Sequence, residues 1–346
     1  MGEDVRRFYE AAMSGGTFDG QLGEDFQAAL GRSFGEVRRE DCDWYHTMDF
    51  GPGDVVQGVW DLRGRERSYL GFVNVAEQRV LEIGPATGHL TRYMEKQGGD
   101  VVAFDVTPGV ATDIIPQVGH DLDAHRRLNT AYAERVRNSW WYGHSKFKSG
   151  SKAVYGDIYS LPKDLGRFDV SLLASVLLHV ANPFRVLEQT ATLTDRAVVV
   201  TEPVRRIPDT EGRAVMEFSP VDTTKTVVVW WSLTPQAIVR MLQVLGFLEF
   251  SVYFHRQSHH VHHDLGRPAE ESLYFTVVAE RHKGWARRHV RSAAEEQEEL
   301  AVKRQWAPES PVKALEAELL GMRSSLSWRI TRPARMLASL LRRFYS

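Results

Sequence analysis

The stretch Arg79-Val80-Leu81-Glu82-Ile83-Gly84-Pro85-Ala86-Thr87-Gly88-His89-Leu90 constrains this chain more than any other. An apolar run of strand length enters a glycine-bearing turn, and helical sequence follows at once. Glycine suits such a turn because the backbone reverses sharply there and because a ligand can approach where no Cβ stands. The spacing also disfavours one class of ligand. Dinucleotide sites use G-x-G-x-x-G, whose last glycine lets the helix pack closely around a pyrophosphate. With Gly84 as the first position, Ala86 and His89 fall at the second and third, and His89 is too bulky for that role.

The surrounding texture extends the motif into a fold. From 75 to 282, apolar runs at 79–83, 101–104, 153–155, 168–173 and 197–200 alternate with helix-length segments. That alternation predicts an α/β domain with a doubly wound parallel sheet. Runs at 250–254 and 273–279 follow a helix and predict an antiparallel hairpin at one edge. Two acidic residues stand at the carboxyl ends of predicted strands, where open α/β sheets hold ligands. Asp105 lies 21 residues after Gly84, suited to a ribose diol. Asp157, in Gly156-Asp157-Ile158-Tyr159-Ser160-Leu161-Pro162, suits an adenine amino group, with Ile158 against the ring. Taken singly, Gly84 is a plain turn and either aspartate a helix N-cap.

In this order the motifs resemble those of class I S-adenosylmethionine (SAM)-dependent methyltransferases. Glu82-x-Gly84-x-Ala86-x-Gly88 is similar to their first motif, with Ala86 in place of the commoner central glycine, and Asp105 and Gly156-Asp157 to their second and third. The resemblance covers about 80 to 282. It implies a Rossmann-like seven-stranded sheet with the antiparallel terminal hairpin, SAM as cofactor, and Glu82, Gly84, Pro85, Gly88, Asp105, Asp157 and Ile158 as its binding residues. It also places the reaction centre near His179, after the fourth strand, and Glu202, which ends the fifth. For a hydroxyl acceptor, either could serve as general base, and the imidazole titrates in the useful range. Capping or packing of the following helix is the other reading of His179.

Flanking segments bear on the acceptor. Residues 1–74 form an N-terminal segment in which Trp44-Tyr45-His46-Thr47-Met48-Asp49-Phe50 is strongly aromatic. Similar segments precede the SAM domain in polysaccharide-linked bacterial methyltransferases and in tRNA wobble-uridine carboxymethyl-transferring enzymes. The likeness implies a lid with Trp44, Tyr45 and His46 toward substrate; simple aromatic packing is the alternative. The connection from 107 to 152 is long, and Leu128, Tyr132, Val136 and Trp140 recur every four residues, predicting an amphipathic helix. Its end, Trp140-Trp141-Tyr142, either packs the core or covers the substrate pocket. The histidines of His259-His260-Val261-His262-His263-Asp264 would alternate in direction on a loop. Surface decoration is therefore expected, and no metal site.

Charge and cysteine content narrow the class. With 43 Lys+Arg against 45 Asp+Glu, the net charge of −2 argues against nucleic acid as a dedicated partner. Single Cys42 leaves no intramolecular disulfide and fits a reducing cytoplasm. Neither a signal-like leader nor an apolar run of about 18 residues stands out, so no transmembrane segment is expected. Residues 283–346 read as a charged helical tail. From 323 to 346 it carries Arg323, Arg329, Arg332, Arg335, Arg342 and Arg343 and no acid. Met336, Leu337, Leu340, Leu341 and Phe344 share one helical face, a pattern suited to peripheral contact with the anionic inner membrane face. Packing back onto the domain is the alternative. Ser325-Leu326-Ser327-Trp328-Arg329-Ile330-Thr331-Arg332-Pro333 resembles tails of bacterial cell-surface polysaccharide enzymes. The expectation is a methyltransferase O-methylating a sugar or related small-molecule or glycan acceptor in polysaccharide biosynthesis. The rivals are a tRNA wobble-uridine-modifying transferase and a non-catalytic SAM-binding scaffold subunit.

Overall fold

A computed structural model describes residues 37–107, 113–204, 212–221, 228–260, 265–266 and 268–306. Its strands, in chain order, are β1 (Met48–Asp49), β2 (Val55–Val56), β3 (Trp60–Asp61), β4 (Arg79–Ile83), β5 (Asp100–Val106) and β6 (Lys152–Gly156). After them come β7 (Phe168–Ala174), β8 (Thr194–Pro203), β9 (Met216–Phe218), β10 (Trp231–Leu233), β11 (Glu249–His259) and β12 (Glu270–Glu280). The α-helices are α1 (Glu66–Tyr69), α2 (His89–Lys96), α3 (Leu122–Phe147), α4 (Pro183–Leu193), α5 (Pro235–Val244) and α6 (Ala293–Trp306).

Eight strands form one mixed sheet in the order β3-β11-β12-β8-β7-β4-β5-β6. The five that carry the sequence pattern, β6-β5-β4-β7-β8, run parallel. In β8, Ala197 to Val200 are all buried, the continuous apolar run expected of a strand covered on both faces. Alternation sorts the side chains of β4. Leu81 and Ile83 join the core under α4 and α5, and Val80 joins the opposite core under α1 and α2. Each such burial stabilises by roughly 1.5–3 kcal/mol. Proline at the first turn starts α4 and α5, whose caps Asn182 and Thr234 accept from the Arg185 and Ala237 amides.

The sheet departs from expectation on three counts. It has eight strands and not seven, because Trp60–Asp61 of the N-terminal segment pairs with β11. The hairpin strands extend to 11 residues each, and β12 is inserted antiparallel between β8 and β11, so β3 forms the outer edge. A small antiparallel pair, β9–β10, was not anticipated at all. The expected boundary near 74 also crosses a continuous core, since Leu62, Tyr69, Leu70 and Val73 pack with Val80 and Val199.

Helix α3 is longer than its apolar stripe. Val136 and Trp140 are buried, whereas Leu128 is 72% exposed, so the start of the stripe does not seat on the domain. At the other end of the chain, α6 lies on β11 with Val302 in the core. His259 stacks on Trp60, and His260 is buried beside Gln57. Those two histidines therefore pin the N-terminal segment to β11 and are not surface decoration. The remaining histidines of that run, and the basic stretch 323–346, lie outside the described residues.

Candidate active site

A cavity of about 1790 Å³ opens at the carboxyl ends of the parallel strands. The turn after β4 forms its floor. Three residues there alternate into positive φ: Gly84 (71°), Ala86 (48°) and Gly88 (81°). The turn is tied back by Gly84 N–H to the Phe104 carbonyl (2.9 Å) and Gly88 N–H to the Pro85 carbonyl (2.8 Å). A Cβ at Gly84 would stand 2.9 Å from Val176, and one at Gly88 would stand 2.7 Å from the Trp140 ring. Trp140 thus backs the glycine loop from outside the cavity, with its indole N–H donating to Thr91 Oγ1 at 3.2 Å. Of the two readings of the 140–142 cluster, Trp140 takes the packing one.

Glu82, Gly84, Pro85, Asp105, Asp157 and Ile158 all line the cavity. Gly88 stands behind it as the N-cap of α2. Glu82 is buried and accepts from the Thr91 hydroxyl. Burial pushes its carboxyl up to about 7, and the nearby Asp105 carboxylate adds to the shift. Asp105 accepts one hydrogen bond, from Val106 N–H at 2.8 Å. Burial raises its pKa, and the Arg137 guanidinium partly offsets that rise. Asp157 turns the chain after β6 by accepting from Tyr159 N–H at 2.9 Å. A floor of left-handed backbone at Gly84 and Ala86 that lets a ligand approach closely, with two carboxylates on separate strand ends, fits a nucleoside-bearing cofactor such as SAM.

The N-terminal segment forms the opposite wall. His46 N–H and Nδ1 both lie 3.1 Å from Thr87 Oγ1 in the glycine loop. Its ring is buried, which lowers its pKa to about 3 and keeps it neutral at physiological pH. Tyr45 and His46 line the cavity. Trp44 does not. It packs edge-on against Phe50 and Tyr142, holding the segment to α3.

His179 ends the turn Leu177–His179 after β7 and lines the cavity. Its Nδ1 lies 2.5 Å from the Val228 carbonyl. A carbonyl can only accept, so Nδ1 carries the proton, and whenever the ring is neutral its basic nitrogen is Nε2. Glu202 is buried beneath the site, where Oε1 accepts from Leu177 N–H at 2.8 Å. It fixes the turn that presents His179 and is not part of the cavity lining.

Sequence reasoning missed an aromatic group on this wall. Trp60, Tyr69, Tyr132 and Tyr274 line the cavity with Tyr45. The Trp60 and Tyr274 rings meet edge-on at 5.6 Å, and Tyr69 lies 5.8 Å from Tyr274. Burial raises the pKa of all four tyrosines, Tyr45 to about 12, so the phenols stay protonated. Ser175 also lines the cavity, and it was findable because it follows β7 at a strand's carboxyl end, where open sheets place ligands. Tyr274 was not, because nothing in its own run shows that β12 inserts beside β8.

A family model described as a methyltransferase domain matches residues 60–247. No curated protein matches at a significant level. Among solved structures, the N-terminal domain of EvdMO1 with SAH bound is 20% identical, with 76% of this chain and 97% of that one covered at a TM-score of 0.43. Human N-acetylserotonin methyltransferase in complex with SAM is 18% identical, with 64% of this chain and 52% of that one covered at a TM-score of 0.39. A possible histamine N-methyltransferase from Thermotoga maritima is 16% identical, with coverage of 64% and 90% and a TM-score of 0.38.

Proposed function

This chain belongs to the methyltransferase-domain family, and we propose that it is a SAM-dependent O-methyltransferase acting on a hydroxyl of a sugar or related glycan in cell-surface polysaccharide assembly. SAM, when bound, supplies a methyl group on an electrophilic sulfonium. Asp105 would accept from the ribose hydroxyls, Asp157 from the adenine amine with Ile158 on the ring, and the 84–88 backbone would lie beneath. Holding the acceptor in line with that methyl group is itself worth several kcal/mol.

The observation that carries the reading is the tautomer of His179. With Nδ1 donating to the Val228 carbonyl, Nε2 is the nitrogen through which the neutral imidazole of this cavity-lining residue can act as a base. An acceptor hydroxyl becomes a better nucleophile as its proton passes to such a base. As the bond to the methyl carbon forms at the acceptor oxygen, the sulfonium–methyl bond would break with its electron pair left on sulfur, and the acceptor proton would end on His179 Nε2. The aromatic wall supports a sugar, since pyranose C–H faces pack on Trp and Tyr rings while hydroxyls reach the phenols. Tyr45 and His46 contribute to that wall as substrate-side residues.

The test is His179→Ala. Turnover should fall about 100-fold while the Kd for SAM, measured by calorimetry, stays near that of the unaltered protein. An unchanged rate would remove His179 as the base.

A further inference from the structure

Five described residues other than glycine have positive φ, and two of them, Ala86 and Ser175, face the cavity. Ala86 is explained by the glycine loop. Ser175 has no such motif, yet it sits at φ 56° at the end of β7, anchored by its N–H to the Thr201 carbonyl at 2.7 Å. Serine resists this conformation, and such strain persists where the surrounding structure imposes it. The conformation brings the side chain to Tyr69, whose phenol oxygen lies 3.0 Å from Ser175 Oγ. Tyr274 flanks the pair, with its ring 5.8 Å from that of Tyr69. All three residues line the cavity.

We infer that Ser175 and Tyr69 form a docking pair for the acceptor hydroxyl, with Ser175 as the residue that sets which acceptor oxygen faces the transferring methyl. Two hydroxyls joined by one hydrogen bond keep one further proton and several lone pairs for a third partner. A neutral alcohol both donates and accepts and can satisfy both needs. Four residues on, His179 supplies the base, so one turn after β7 carries docking and proton removal together. This rests on the reading of the site as that of a sugar O-methyltransferase.

The experiment uses the full chain, labelled SAM, and a panel of methyl glycosides and nucleotide sugars. Ser175→Gly removes the hydroxyl and relaxes the backbone, and Tyr69→Phe removes the second hydroxyl. Each variant should lose about tenfold or more in kcat/KM toward whichever sugar the unaltered protein methylates, mainly through KM. The Kd for SAM should stay within about threefold, and Ser175→Gly should melt no lower than the unaltered protein. The double variant should lose little more than the worse single one, as expected of groups acting as one unit. Unchanged kcat/KM in Ser175→Gly overturns the docking pair and leaves the sugar reading standing. A lowered melting temperature or a parallel loss of SAM affinity makes Ser175 structural and overturns it too. If the unaltered protein methylates no sugar in the panel, the sugar reading fails and the docking pair falls with it.

Discussion

Two acids line the cavity beside the glycine loop and call for opposite experiments. Asp105 faces the cavity with the Val106 amide as its one hydrogen-bond donor among the described residues and the Arg137 guanidinium nearby, so Asp105→Ala should weaken SAM binding more than tenfold without loss of fold. Hydrogen bonds to a charged group are worth roughly 1.5–3 kcal/mol, and calorimetric titration reads that loss directly. NAD titration is the control, since tight NAD binding without SAM binding would overturn the cofactor assignment. Glu82 concerns stability. Its carboxyl titrates near 7 in the folded chain against an ordinary 4.5, so the folded state holds a proton that the unfolded state releases above 4.5. Stability is therefore lost as pH rises from 4.5 through 7, by an amount approaching about 3 kcal/mol. Glu82→Gln does not titrate, so ligand-free variant and parent should melt alike near pH 4 and the variant should melt higher at pH 8. Equal melting temperatures at pH 8 would show that Glu82 ionises without penalty. His46 acts at the other end of the scale. Its neutral burial contributes stability present above 6.5 and lost as pH falls toward 3.

At the level of elements, the glycine loop was legible because its backbone demands leave few residue choices. Gly84 and Gly88 both hold positive φ, the conformation of the sharp turn expected there. What the motif could not show is the partner behind it. Gly88→Ala would press a Cβ against Trp140 and strain a left-handed residue, so a loss of about 2 kcal/mol or more is expected from chemical denaturation. Near-parental stability would mean that Trp140 yields readily. Other elements were illegible for physical reasons. Strands of two or three residues, such as β3 and β9, hold no period from which to be read. The stripe on α3 is continuous in sequence, but Leu128 at its start is exposed while Tyr132 lines the cavity and Val136 and Trp140 enter the core, because periodicity reports a face and not what covers it. Glu202 illustrates the same limit, since a strand-end carboxylate reads alike whether it faces a cavity or supports the turn beside it.

At the scale of the whole molecule, the N-terminal segment and α6 both pack on the edge of the sheet that carries β11. Among the described residues no helix is long and apolar enough to cross a membrane. The chain is nearly neutral overall, with a formal net charge of −2, yet its last 24 residues hold six arginines and no acid. Among those arginines and just after them, Met336, Leu337, Leu340, Leu341 and Phe344 recur at helical spacing. Each arginine near an anionic surface contributes about 1 kcal/mol, and apolar side chains in the interface add to that attraction. Full-length protein should therefore sediment with phosphatidylserine-containing vesicles at low salt and release as ionic strength rises and the Debye length shortens. A chain ending at 306 keeps every described residue of the cavity. It should bind SAM as tightly as the full chain and remain in the supernatant with the same vesicles. If the full chain also stays in the supernatant at low salt, the arginine-rich segment serves protein contacts, and glycan assembly at the membrane would have to be reached by another route.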